Sequence, residues 1–133
     1  MKSNAQILYE FGQLVTNEVF DKQYKFILNK VEDLAQTEGY KNLFTGMNFE
    51  QKKEIEFYTS EILKASLFDF LRVFEENNTF KIVYENDGQK VDLNQISDML
   101  KSEPIIENGW IERFSETIKK SNDIQAMTSA KVL

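Results

Sequence analysis

Apolar residues recur along the chain mostly at helical spacing. Ile7, Leu8, Phe11, Leu14, Val15 and Val19 fall on one narrow helical face. They follow Ser3-Asn4-Ala5-Gln6, which has the form of a capping box with Ser3 as N-cap and Gln6 at the third helical position. Gly12 lies inside this helix at a cost in propensity and marks a site of close helix approach. After Phe20 the phase changes. Tyr24, Ile27, Leu28, Val31 and Leu34 form a second stripe, on roughly the opposite side if one ideal helix is extended through both. This reads as a break near Asp21, which would cap a second helix over about 22–36. The alternative is one long helix clasped on both sides.

Residues 37–47 read as a loop, containing Gly39 and Gly46 and tucked onto the core by Tyr40, Leu43 and Phe44. Asn48-Phe49-Glu50-Gln51 repeats the capping-box pattern and opens a long central helix from about 49 to 76, closed by Asn77-Asn78. Its apolar residues Ile55, Ile62, Leu63, Leu67, Phe70, Leu71, Val73 and Phe74 cover about half the helical circumference, a stripe broad enough to predict several neighbours at once. At Thr79 the period changes to two. Phe80, Ile82 and Tyr84 alternate with Lys81, Val83 and Glu85, and Asn86-Asp87-Gly88 supplies a turn, so a hairpin is expected near 79–93. A strand running directly into a helix is the other reading of that segment. Asp92 can cap a short helix carrying Leu93, Ile96 and Leu100, and Pro104 then stops the chain. A final helix from about 108 to 121 carries Trp110, Ile111, Phe114 and Ile118, and residues 122–133 lack strong periodicity and read as a flexible tail. The expected architecture is a single mainly α domain over residues 1–121, with an α+β flavour: about five helices around a long central one, and one β-hairpin.

Composition narrows function more than it narrows fold. Cys is absent, which excludes disulfides, thiolate metal sites and cysteine nucleophiles. His is absent too, which removes the commonest acid–base group at neutral pH and every Ser-His-Asp triad. An enzyme is therefore not expected, and neither is a cofactor. Glycines are scattered, with no phosphate-cradling loop. Metal-binding carboxylate pairs are weak: no Glu-x-x-Glu occurs, Glu18/Asp21 straddles the expected break, and Glu50/Glu54 and Glu112/Glu116 have the ordinary role of a solvated helix face. The net charge is −6, with no basic run, so nucleic acid or an anionic membrane would meet an unfavourable field and a basic protein a favourable one. No export pattern or long apolar stretch is visible, which makes the cytoplasm the default location.

Two groups of residues are candidates for binding a partner. Phe57 and Phe68 lie eleven residues apart on the long helix, nearly on one line, among Glu61, Lys64, Arg72 and Glu75. Either another element covers them, the commoner fate of large apolar side chains, or they anchor a partner. Glu75, Glu76, Glu85, Asp87, Asp92 and Asp98 form the second group, acids from the end of the long helix, the hairpin and the next helix. They are either scattered solubilising charge or one converging acidic face that steers a basic partner. Glu75 and Glu76 oppose the dipole at their helix C-terminus, a local conflict that suggests a role.

Gly109-Trp110-Ile111-Glu112-Arg113-Phe114-Ser115, with Asp92-Leu93-Asn94-Gln95-Ile96-Ser97 and Ile105-Ile106-Glu107-Asn108 before it, resembles the end of small uncharacterised bacterial proteins of the immunity type, from competition toxin systems. The resemblance covers the last third of the chain and carries over no functional residue. It implies stoichiometric inhibition of a partner toxin without catalysis. The expectation is thus a protein-binding module that occludes a basic partner. The alternatives are a structural or regulatory subunit oligomerising through the Phe57/Phe68 stripe, and a His-free carboxylate and Mg²⁺ enzyme.

Overall fold

The computed structural model describes residues 1–119, and two capping boxes set its helical frame. Ser3 Oγ accepts from the Gln6 amide while Gln6 Oε1 accepts from the Ser3 amide, opening α1 (Asn4–Val15). Asn48 and Gln51 exchange the same two bonds at the start of α5 (Phe49–Glu76), the long central helix. Two otherwise orphaned N–H groups are satisfied at each start. Between them lie α2 (Lys22–Asn29), α3 (Val31–Ala35) and α4 (Lys41–Phe44).

The phase change after Phe20 is not a break. Residues Thr16–Asp21 are a π-helical segment that joins α1 to α2 without interruption. A π-turn is wider than an α-turn, so each residue advances by a smaller angle and the apolar stripe changes side while the helix continues. Asp21 is therefore mid-helix (φ −63°, ψ −39°) and makes no side-chain cap. Its buried carboxylate accepts instead from Ser115 Oγ at 2.6 Å and from the Glu116 amide at 3.0 Å. The second helix ends sooner than 36, because Lys30 (φ −117°) separates α2 from α3.

After α5 the chain forms the two-stranded antiparallel hairpin β1 (Val83–Asn86) and β2 (Gln89–Asp92). Asp87 and Gly88 both take positive φ, at 49° and 80°, which gives the turn the twist that the strands need. Asp92 caps α6 (Leu93–Ile96) by accepting from the Asn94 amide. A 3₁₀ turn, Leu100–Ser102, leads to α7 (Trp110–Phe114). Here the expected final helix is interrupted. Ser115 is extended, donates its hydroxyl to Asp21 and accepts from the Ile118 amide, so it ends one helix and caps the turn after it. The proposed tail at 122–133 and the end of the final helix at 121 lie outside the described residues.

The fold is mainly α with a small β part, arranged around α5. One buried cluster joins Ile7, Leu71, Leu93, Leu100, Trp110 and Phe114, and a second joins Phe20, Tyr24, Leu67 and Ile111. Val15, just ahead of the π-segment, packs against both. Trp110 is the centre of the first. A Cβ on Gly12 would lie 2.5 Å from its indole, so the close approach expected at Gly12 is that of α7.

Candidate protein interface

The inward face of α5 changes chemistry between the two halves of the helix. In its C-terminal half Leu67 and Leu71 point into the core. In its N-terminal half the residues that occupy the equivalent inward positions are Glu56, 5% exposed, and Ser60, 6% exposed. Among the described residues Glu56 is held only by long ion pairs, to Lys52 at 3.9 Å and Lys53 at 3.7 Å. Large apolar groups on this half face outward instead: Phe57 is 67% exposed and Tyr58 63%, with Phe49 and Ile62 also exposed.

The preceding loop adds to this surface. Phe44 is buried as expected, but Tyr40 and Leu43 are exposed and do not tuck onto the core. The α4 turn holds Phe44 inward and leaves its neighbours on the other side of a single helical turn. Between the loop and α5 lies an open cleft of about 490 Å³, with Leu43, Met47, Ile55, Tyr58 and Glu54 in its wall. Glu54 and Glu61 stand one turn before and one turn after Phe57. Glu61 pairs with Lys64 at 3.6 Å, and Glu54 has no ion pair among the described residues.

The broad apolar stripe of α5 is consequently not fully used. Ile62, Phe70 and Val73 are exposed, so fewer neighbours pack on this helix than its breadth predicts. The Phe57/Phe68 line is divided as well. Phe57 is open to solvent, whereas Phe68 is half-buried, with Lys101 Nζ 6.0 Å from its ring centroid.

The candidate acids are largely engaged within the chain. Glu75 and Glu76 meet on Lys101, at 3.3 Å and 3.4 Å, and Glu76 also pairs with Arg72 at 3.3 Å. Hydrogen bonds first to Glu75 and then to Glu76 raise the Lys101 pKa above the ordinary lysine value. The two acids at the helix C-terminus are thus answered locally by cations. Asp92 is spent on its cap and on Lys81 at 3.6 Å. Asp87 sits in the hairpin turn and Asp98 follows α6; both are exposed and without an ion pair among the described residues. Among the described residues, Glu75 and Glu76 are the two candidate acids drawn to a shared partner.

Sequence reasoning missed Tyr40, Leu43, Phe49 and Tyr58 as surface residues. The signal was present in Glu56 and Ser60, polar residues on the helical face that continues Leu67 and Leu71. Among the described residues, no group of three or more acids is placed to hold a metal ion, and no helix is long and apolar enough to cross a membrane. No protein-family model, curated protein or solved structure matches the chain.

Proposed function

We propose that this chain is a non-catalytic protein-binding module of the immunity or inhibitor type, which covers a basic partner such as a toxin by shape and opposite charge. The observation that carries the reading is the inversion on the N-terminal half of α5: Glu56 and Ser60 inward, Phe57 and Tyr58 outward. Exposed aromatic side chains in a polar rim are the usual anchors of protein interfaces. Here the rim is Glu54 and Glu61, and the net charge of −6 favours approach by a cationic surface. The resemblance of the C-terminal third to immunity-type proteins points the same way.

Co-expression with the protein encoded beside it tests the proposal. The expected result is a stable complex and protection from that neighbour's toxicity. Phe57→Ala combined with Glu54→Lys and Glu61→Lys should weaken the complex on the order of tenfold or more, without loss of helical signal. Absence of both complex and protection would remove the reading.

A further inference from the structure

The hairpin has a second surface feature, which involves none of the residues of the proposed interface. In β1 and the residue just before it, the main-chain groups of Ile82, Tyr84 and Asn86 face β2: the Leu93 amide donates to Ile82 O, and the pairs Tyr84↔Val91 and Asn86↔Gln89 follow at alternate positions. The main-chain groups of Lys81, Val83 and Glu85 therefore point away from β2, and among the described residues they make no hydrogen bond. This is an open strand edge. Natural edges usually repel other strands with charge, but the order of charges along this one is particular. Lys81, Val83 and Glu85 share one exposed side of the hairpin, so the edge reads cation, apolar, anion.

We infer that β1 is a self-association edge: a second copy of this chain adds its own β1 antiparallel, Val83 against Val83, to make one four-stranded sheet. In that register Lys81 of each copy lies directly opposite Glu85 of the other, and the two Val83 side chains meet on the two-fold axis. The main-chain groups of these same three residues are the unpaired ones, so they become the hydrogen-bonded pairs of the new ladder. The charge pattern extends across the sheet. Lys90 already lies opposite Glu85 within the hairpin, so Glu85 would sit between Lys90 of its own copy and Lys81 of the second. Lys81 would in turn lie between its own Asp92, at 3.6 Å, and Glu85 of the second copy.

The other side of the hairpin fits as well. Ile82 would stand across from Tyr84 of the second copy, in the closer, non-hydrogen-bonded type of pair. Between α1 and β1 lies a mostly apolar groove of about 290 Å³, walled by Ile7, Phe11 and Leu14, by Ile82 and Tyr84, and by the carboxylates Glu10 and Glu85. It offers cover to the incoming Tyr84 ring. A strand of unrelated sequence would find the same free amides but would not meet opposite charge at both ends.

Sedimentation of the full chain, wild type and charge variants, tests the inference. Wild type should dimerise reversibly on concentration. Lys81→Glu and Glu85→Lys each place like charges opposite one another at two symmetry-related positions, and each should weaken the dimer about tenfold or more. An equimolar mixture of the two variants restores opposite charges at both positions and should form a heterodimer close to wild-type strength. Amide exchange on wild type gives an independent reading, with the Val83 and Glu85 amides slowing as concentration rises. A wild-type monomer at all concentrations would overturn the proposal. So would variants that each dimerise as wild type does, which would place the contact elsewhere, or a mixture no stronger than its components.

Discussion

The C-terminal half of α5 and its N-terminal half belong to one uninterrupted helix, yet they solve different problems. The former is closed on its inward face, although Phe70 and Val73 on its outer side are exposed. Leu67 and Leu71 meet the core, Asn94 Nδ2 donates to Phe74 O near the helix end, and Lys101 answers Glu75 and Glu76. The latter is open, with a carboxylate and a hydroxyl inward and three aromatic rings outward. Burying an apolar side chain is worth about 1.5–3 kcal/mol relative to leaving it exposed, so a helix folding for stability alone would not choose this arrangement. The difference teaches that the inward face of the C-terminal half serves the fold, whereas the N-terminal half forgoes stability, as expected of the binding surface proposed above.

The largest effect should come from dismantling the closed region. Trp110 is fully buried, touches Gly12 and meets Phe11 edge-to-face with ring centroids 5.5 Å apart. Trp110→Ala should cost about 3–5 kcal/mol in denaturant unfolding. Tyr58→Ser in the open region should change stability by no more than about 0.5 kcal/mol. Similar losses from both substitutions would break the comparison, because Tyr58 would then have to be part of the packed structure.

A smaller effect of opposite sign should come from correcting the inversion. Glu56→Met keeps a flexible unbranched side chain, somewhat larger, and replaces a buried carboxylate, held among the described residues by ion pairs of 3.7 and 3.9 Å, with an apolar group. Lys52 and Lys53 are partly exposed and can turn to water, so no charge is left buried without a partner, and a gain of about 1 kcal/mol is expected. A loss of that size would show the Lys52 and Lys53 pairs to be part of the fold's stability, and would sharpen the contrast into one between two different kinds of core.

How much of this was legible in the sequence depends on the range of the interaction that decides each feature. Both capping boxes, the limits of α5, the Asp87-Gly88 turn and the Asp92 cap are decided within three or four residues, and the residues name them. The π-segment was visible only as a phase change, which a break explains equally well locally. What selects continuity is Ser115, 94 positions further along, which engages the Asp21 carboxylate and leaves it no role as a cap. The same contact splits the last helix, so one long-range hydrogen bond accounts for two departures from the expected pattern. In the candidate interface, Phe57 was legible as an apolar residue among charges. Phe68 has the same sequence context, but Lys101 of the 3₁₀ turn lies over it, and nothing within α5 announces that. The acids at the end of α5 read as surplus charge because the cation they share, unlike the Arg72 that Glu76 meets within the helix, comes from a distant turn.

The smallest effect expected is a test of that turn. Lys101→Met removes the ammonium that Glu75 and Glu76 share in the closed half of the helix. Hydrogen bonds to these two acids raise the folded-state pKa of Lys101 above the unfolded value of 10.5. A raised lysine pKa means that the folded state holds the proton more tightly than the unfolded one, so its contribution to stability is complete below pH 10.5 and lost as pH climbs through the folded-state value. Wild type should therefore be slightly more stable than Lys101→Met at neutral pH, by a constant margin that shrinks to nothing in strong alkali. Lys2 is raised in the same direction by Glu10, but it is present in both proteins and cancels from the difference. Paired urea titrations from neutral pH to above 10.5 give that margin directly. A margin that persists after the ammonium has lost its proton would mean that the Lys101 stem, through its cover over Phe68, supplies the stability, and that the closed half is sealed by packing with no help from charge.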